Sequence, residues 1–192
     1  MTKYSLHETP AFGGFNLSVD GGTLSEETGM AIIAVTIRTD AAKGFKTAFK
    51  KLFGTDCPSA TTSAEAGKTM IVPSALDQFF ILEKTDPRVL EDKLISALGK
   101  HATITDQTDG WGVLSLYGPK TITTMERVSK VDVDSVVFPV GAVARSELEH
   151  VGGIVIRQKA KRGEEHRFML LSQRSSAQSF LHSITTTTPF AY

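Results

Sequence analysis

Residues 30–37 constrain the fold more than any other part of the sequence, because Met-Ala-Ile-Ile-Ala-Val-Thr-Ile has no polar face. These residues are β-branched or apolar and none of them is charged, which is typical of a strand rather than a surface helix. A strand that is apolar on both faces must be covered on both faces. The segment therefore predicts the central strand of a buried sheet, and a chain of 192 residues is long enough to bury it.

The segments after this strand predict a ferredoxin-like module. Helices are indicated by apolar residues at helical spacing, and the second helix by an Asp cap followed by proline at the first helical position. In chain order the predicted elements are a helix over residues 40–53, strands over 68–72 and 78–83, a helix from Asp86-Pro87 to Leu98, and a strand over 102–105. With the first strand, the order is β-α-β-β-α-β, the split βαβ pattern.

The second half of the chain begins in the same way, with a strand followed by a helix. The predicted elements are a strand over residues 111–117, a helix that starts at Gly118-Pro119, strands over 142–148, 153–157 and 167–171, and a helix capped by Ser175 or Ser176. Residues 159–165 are polar and charged, so we expect a hairpin tip there.

These patterns predict an α+β protein made of two fused ferredoxin-like modules. We assign residues 29–106 to the first βαββαβ module and 107–184 to the second, with a C-terminal tail at 185–192. Residues 1–28 contain paired glycines and few apolar side chains, so we expect an extended N-terminal arm without a core of its own. The arm is either a mobile tail or a segment that docks through Phe12 and Phe15.

Charge and cysteine content exclude several classes of function. The 21 basic residues balance the 21 acidic ones, whereas nucleic-acid binders normally carry a basic excess. Apolar runs are too short to cross a bilayer, and Lys3 is not followed by the apolar run of a secretory signal. Cys57 is the only cysteine, which rules out an internal disulfide. We therefore expect a cytoplasmic protein with neither a nucleic acid nor a membrane as partner.

The two glycine motifs do not predict phosphate binding. Gly67-Lys68-Thr69 resembles the end of a P-loop, but it precedes a strand rather than a helix N-terminus. Gly110-x-Gly112 lies at the start of a strand and has Ser115 where a third glycine is needed. We interpret both motifs as chance matches.

Side chains that could act as metal ligands, nucleophiles or acid–base groups are scattered. Cys57 has no histidine near it in sequence, and Asp106 and Asp109 have no marked partner. The histidines lack metal-binding spacing; they are His7, His101, His150, His166 and His182, of which His150 at a predicted turn is the most interesting. We therefore predict no catalytic, cofactor-binding or metal-binding residues in this chain.

One charged face remains open to interpretation. Lys43, Lys46 and Lys50 line the side of the first helix opposite its apolar residues, with Lys51 adjacent. This is either an ordinary solvated face or a surface that docks onto an acidic partner.

An ordered set of short motifs gives the chain a family resemblance. The motifs are Asp77-x-Phe79-Phe80-Ile81-Leu82, Thr108-Asp109-Gly110-Trp111-x-Val113-Leu114-x-Leu116-x-Gly118-Pro119, Phe138-Pro139-x-Gly141-Ala142-x-Ala144-Arg145, His150-Val151, Ile154-Val155-Ile156, Phe168-x-Leu170-Leu171, Arg174-Ser175-x-Ala177 and Phe180-Leu181. In this order they resemble the gamma subunit of heterotetrameric sarcosine oxidase and related N-methyl amino acid oxidoreductases.

The resemblance implies a fold similar to the folate-binding aminomethyltransferase. It also implies an accessory subunit of a complex that oxidises an N-methyl amino acid and passes the one-carbon unit to tetrahydrofolate. The gamma chain would bind no cofactor itself, and FAD, FMN, NAD, tetrahydrofolate and zinc are expected in the partner subunits. The partners would be mainly the large alpha subunit, with beta and delta subunits completing a heterotetramer.

The sequence departs from the family at two points. The turn before Phe79 lacks Gly-Pro, and the charged hairpin at residues 159–165 is longer than usual. The amine substrate therefore stays open between sarcosine and a relative such as N-methylglutamate. Two other functions also stay open: a stand-alone folate-binding protein of the aminomethyltransferase-like superfamily, and a ferredoxin-like regulatory module, which accounts only for the first half of the chain.

Overall fold

The first sheet has the strand order of a ferredoxin-like module. The protein is described here by a computed structural model that covers residues 8–187 and residue 190. Five strands from the first half form an antiparallel sheet in the order β4-β5-β6-β3-β7. They are β3 (Met30–Ile37), β4 (Ala64–Ala66), β5 (Thr69–Ala75), β6 (Gln78–Lys84) and β7 (Ala102–Asp106). The short β4 lies between the predicted helix over residues 40–53 and the predicted strand over 68–72, where no strand was predicted.

Two helices cover one face of this sheet. They are α1 (Ala42–Phe53) and α2 (Pro87–Leu98). Asp86 caps α2 as predicted, since its carboxylate accepts a hydrogen bond of 2.8 Å from the backbone N–H of Arg88. Phe45 and Phe49 of α1 are fully buried against the sheet.

β5 extends beyond the predicted strand over residues 68–72, because it continues through Pro73 to Ala75. Proline lacks the N–H that a central strand must donate. β5 tolerates it because β4 pairs only with residues 69–71, which leaves that side of Pro73 without a neighbouring strand.

The second sheet contains six strands in the order β1-β2-β8-β11-β10-β9. Each pair is antiparallel. The strands are β1 (Asn16–Val19), β2 (Gly22–Glu26), β8 (Trp111–Tyr117), β9 (Val143–Leu148), β10 (Val151–Gln158) and β11 (Arg167–Gln173). As predicted, residues 159–165 connect β10 to β11 at the tip of a hairpin.

The helices of this half are α3 (Thr121–Val128) and α4 (Ala177–Thr185). Ser176 occupies the N-cap position of α4, but its hydroxyl donates to the carbonyl of Gln173 instead of capping the helix. The prediction that a serine side chain caps this helix is therefore wrong. A short 3-10 turn over residues 174–176 leads into the helix, and the Ser176 hydroxyl forms its hydrogen bond there.

The N-terminal segment differs from the predicted extended arm. Residues 16–26 form a hairpin, and β2 pairs with β8 along residues 23–26. β2 thereby occupies the sheet position that the fourth strand takes in a ferredoxin-like module, beside the first strand. Phe12 is only 4% exposed and packs on Phe180 of α4. The segment has no core of its own and shares that of the second module.

The C-terminal segment also differs from the predicted tail where it is described. Thr185 ends α4, and Phe190 is fully buried in the apolar cluster between the second sheet and its helices. A large aromatic side chain gains several kcal/mol at most from such burial, about 1.5–3 kcal/mol by area. Phe190 therefore contributes to the core of the second module.

The two modules pack sheet against sheet, so the molecule has four layers in the order helices, sheet, sheet, helices. Residues 31, 33 and 35 of β3 contact the helices of the first module, whereas Ile32 and Ala34 pack between the sheets. β10 and β11 supply the facing side chains of the second sheet, including Ile154, Ile156 and Leu171. The prediction that Met30–Ile37 is covered on both faces is confirmed.

Candidate functional site

The junction between the two sheets contains a buried polar cluster centred on Glu27. This residue lies between β2 of the second sheet and β3 of the first, so it belongs to the crossing between the modules. Its carboxylate accepts hydrogen bonds from the hydroxyl of Ser115 at 2.7 Å and from the guanidinium of Arg167 at 3.1 Å. Lys84 of β6 completes an ion pair at 2.6 Å. Three strands from two modules therefore meet at one carboxylate.

Burial and charge act in opposite directions on Glu27. Burial raises the pKa of its carboxyl, but hydrogen bonds from Lys84 and Ser115, with the charges of Lys84 and Arg167, hold that pKa below its ordinary value. The carboxylate is therefore ionised at neutral pH. It cannot serve as an acid there, and its lone pairs are already engaged as a hydrogen-bond acceptor.

The guanidinium of Arg167 is buried and has every nitrogen engaged. Nε donates to Gln158 at 3.2 Å, and Nη1 donates to Glu164 at 2.7 Å. Nη2 donates to Ser115 at 2.9 Å as well as to Glu27. The guanidinium carbon also lies 4.8 Å from the centre of the Tyr117 ring, a cation–π distance. Four of the five N–H donors of this guanidinium are thus used within the chain, which is typical of an arginine that fixes structure.

Glu83 of β6, the residue before Lys84, has a second buried carboxylate. It accepts a hydrogen bond of 2.6 Å from the hydroxyl of Thr69 and pairs with Lys68 at 2.8 Å. Burial raises the pKa of Glu83. Hydrogen bonds from Lys68 and Thr69, with the charges of Lys93 and Lys68, lower it by more, so the pKa lies below its ordinary value. This carboxylate is also an ionised structural partner.

A cleft of about 490 Å³ opens beside the Glu27 cluster, between the two sheets. Its walls are apolar, with Met30, Met70 and Met169 among them, and Lys68 and Lys84 lie at its polar side. Both lysines are ion-paired with glutamates of the clusters described above. The cleft has room for a small molecule, and the charged side chain of Lys161 also lines it.

A smaller crevice of about 270 Å³ lies between the N-terminal segment and the start of β8. Arg174 closes one side, where its Nη2 donates to the carbonyl oxygen of Thr9 at 2.7 Å. On another side the carboxylate of Glu26 accepts hydrogen bonds from the backbone N–H groups of Phe12 and Gly14. These charged groups hold the N-terminal segment in place.

The two glycine motifs have structural roles. Gly67-Lys68-Thr69 forms the hairpin between β4 and β5, with Gly67 at φ 63° in the left-handed region. A Cβ at Gly112 would lie 2.5 Å from the Phe12 ring, so this glycine makes room for the N-terminal segment. As predicted from the sequence, neither glycine lies at the N-terminus of a helix.

The other candidate residues are not brought together. Burial raises the pKa of the Cys57 thiol despite the charge of nearby Lys46, which disfavours the reactive thiolate. Asp106 accepts a hydrogen bond from the backbone of Thr108 and shapes a turn, while Asp109 lines the smaller crevice. No group of three histidine, cysteine, aspartate or glutamate residues is placed to hold a metal ion within residues 8–187.

The histidines are also dispersed. His101 packs beside Gly44 of α1, and His150 lies in the turn between β9 and β10. His166 lies 3.4 Å from Arg157, and His182 belongs to α4. His7 lies outside the described residues.

The lysines of α1 are exposed, as an amphipathic helix predicts. Lys50 pairs with Asp56 at 3.1 Å on the surface. Whether this face also docks onto an acidic partner stays a prediction.

Sequence reasoning missed Glu27 and Arg167. They are 140 positions apart: Glu27 follows β2, and Arg167 is the first residue of β11. Only the sheet order β2-β8-β11 brings them together. The one available signal was the glutamate pair Glu26-Glu27 shortly before the apolar strand Met30–Ile37, and it does not indicate a partner.

The fold places this chain in the class of α+β proteins in which two ferredoxin-like modules pack sheet against sheet. A charged cluster joins the two modules.

In the part of the chain that the structure describes, no helix is long and apolar enough to cross a membrane.

A family model described as "Sarcosine oxidase, gamma subunit family" matches residues 38–187. The chain therefore belongs to the sarcosine oxidase gamma subunit family, as the motifs in the sequence indicated. A comparison with curated proteins gives no match.

Two solved structures share the fold. A chain of the heterotetrameric sarcosine oxidase from Corynebacterium sp. U-96, in complex with pyrrole 2-carboxylate, has a TM-score of 0.76 at 18% identity and covers 92% of this chain and 89% of that one. The glycine cleavage system aminomethyltransferase T from Bartonella henselae has a TM-score of 0.61 at 10% identity over 83% of this chain. The present chain spans 44% of that aminomethyltransferase. The predicted α+β, aminomethyltransferase-like fold is confirmed.

Proposed function

We propose that this chain is a non-catalytic gamma subunit of a heterotetrameric sarcosine oxidase-type complex. The observation that carries the proposal is the family match over residues 38–187. The agreement in fold with a chain of a heterotetrameric sarcosine oxidase, over nearly all of both chains, supports it. The complex would oxidatively demethylate sarcosine or a related N-methyl amino acid in the cytoplasm and pass the one-carbon unit to tetrahydrofolate.

The junction between the modules supports an accessory role. Arg167 uses its donors on four partners of this chain, and Glu27 and Glu83 are each paired with lysine. Side chains that satisfy one another stabilise a fold and contribute little to chemistry on a substrate. FAD, FMN, NAD, tetrahydrofolate and zinc would be held by the alpha, beta and delta partner subunits, with alpha as the main contact of this chain.

The experiment is an affinity purification of the tagged chain from its own cells. We expect three further chains, a flavin absorbance spectrum and oxidation of sarcosine or N-methylglutamate by the eluate. The control is the same tagged chain expressed alone, which we expect to be colourless and inactive. A yellow, active single chain would contradict the non-catalytic assignment.

A second function rests on the likeness to the aminomethyltransferase and on the cleft of about 490 Å³ between the sheets. In this alternative the chain is a stand-alone folate-binding protein. A tagged chain that returns from its own cells alone and then binds tetrahydrofolate in a titration would favour it over the gamma-subunit assignment.

A further inference from the structure

An exposed apolar loop connects α3 to β9. Val136, Val137 and Val140 lie on it with 87%, 63% and 62% of their surface accessible. Three large apolar side chains within five positions form a continuous apolar stretch. Such a cluster of exposed apolar side chains marks a site of interaction.

The loop is held in a fixed shape from beneath. The buried guanidinium of Arg157 donates from Nη1 to the carbonyl oxygens of Val133 at 2.8 Å and Phe138 at 3.1 Å. The Phe138 ring is buried and stacks on Phe168 with their centres 6.4 Å apart. The valines are therefore displayed by a backbone that the core anchors on both sides of Val136.

Two aspartates fix the approach to the valines. The carboxylate of Asp132 accepts a hydrogen bond of 3.0 Å from the N–H of Asp134, and the carboxylate of Asp134 accepts one of 2.8 Å from the N–H of Val136. Each is an Asx turn, which orders a loop locally. A preformed loop loses little conformational entropy when it binds, so its apolar contacts translate more fully into affinity.

The charge of the loop specifies its partner. Residues 131–140 contain Asp132 and Asp134 and no basic residue. The adjacent Lys130 is ion-paired with Glu147 of β9. The loop thus presents valines flanked by negative charge, and the complementary surface is an apolar socket with a lysine- or arginine-rich rim.

We propose that residues 132–140 dock into such a socket on a partner subunit of the complex. The inference rests on the proposed function, since that function supplies the partner. It adds the face of this chain that meets the partner and the chemistry of the opposing surface. Burial of the three valines provides the affinity, while the aspartates set orientation and association rate.

The test compares three variants of the tagged chain, each purified from its own cells. Val136→Asp with Val137→Asp places charge in the socket and should reduce the recovery of flavin-containing partner chains by about tenfold or more. Leu76→Asp is the matched control, because Leu76 is 93% exposed on the separate β5–β6 turn. It should retain the partners at the wild-type level. All these side chains are exposed, so circular dichroism melting should show unchanged folding.

The third variant tests the charge. Asp132→Asn with Asp134→Asn keeps an oxygen acceptor for each Asx turn and removes both negative charges. We expect weaker retention at low salt and a flatter dependence of retention on ionic strength than in the wild type.

Each contrary result has a distinct meaning. Equal retention of partners by the valine variant and the wild type overturns the loop proposal alone. A wild-type chain that retains no partner overturns the proposed function and the loop proposal together. A purified wild-type chain that dimerises through these valines, and is monomeric in the Asp variant, replaces the partner subunit by a second copy of this chain.

Discussion

At the scale of single residues, Glu27 and Arg167 join the two modules. Glu27 lies between β2 of the second sheet and β3 of the first. The guanidinium of Arg167, on β11, pairs with its carboxylate at 3.1 Å. Removal of either charge would break this ion pair, a loss that costs about 3–5 kcal/mol where the pair is fully buried and has no other partner. Arg167 would still pair with Glu164. Lys84, which is mostly exposed, shares the charge of Glu27 and reduces that cost here.

The lowered pKa of Glu27 predicts how stability changes with pH. Its carboxyl has an ordinary value of 4.5 when unfolded and a lower pKa when folded. The stabilisation it provides is therefore complete above about pH 4.5 and is lost as the pH falls towards the folded pKa. We expect the free energy of unfolding in urea to decrease as the pH is lowered from about 4.5 towards the folded pKa, and to decrease less in Glu27→Gln.

The control for that measurement is Glu65→Gln, which removes an exposed carboxylate on β4 and so matches the loss of one negative charge. Glu83 titrates in the same direction, so part of the decrease should persist in Glu27→Gln. An identical pH dependence in Glu27→Gln and the wild type would show that the junction carboxylate contributes nothing to stability.

At the scale of elements, the N-terminal hairpin completes the second module. β2 takes the place beside β8 that a fourth strand would fill, although it precedes the first module in the chain. The approach is close, since a Cβ at Gly22 would lie 2.7 Å from the carbonyl oxygen of Tyr117. Glycine is required there because any other residue would push the hairpin away from β8.

Phe12 tests whether this segment belongs to the core. Its ring is buried and lies 6.3 Å from that of Phe180. Phe12→Ala should lower the free energy of unfolding by about 3–5 kcal/mol, the usual range for a buried phenylalanine. Phe15→Ala is the control in the same segment, because Phe15 is only partly buried and should cost less. Chemical denaturation measures both, and equal small losses would mean that the segment is a mobile tail in solution.

Elements with strong local signals were predictable and the hairpin was not. Patterns within a few residues were enough to predict the strand Met30–Ile37, the Asp86 cap and the apolar stripe of α2. β1 and β2 are short and contain serine, threonine and glycine, and β2 pairs with β8, about 90 positions later. Pairing over that distance leaves no periodic trace in either partner.

At the scale of the whole molecule, four layers explain why one strand could be apolar on both faces. β3 has helices on one side and the second sheet on the other. The class of fold followed from this pattern and from the repeated strand–helix order. The polar junction did not, because it depends on how the sheets face each other, and side chains 140 positions apart meet there.

The assembled state tests the central claim most directly. We would measure the native mass of the complex purified through a tag on this chain, and then the masses of its denatured chains. The assignment as a gamma subunit predicts one copy of this 20.7 kDa chain with three different partner chains. A native mass equal to one copy, or to a simple multiple of this chain alone, would contradict the assignment as a gamma subunit.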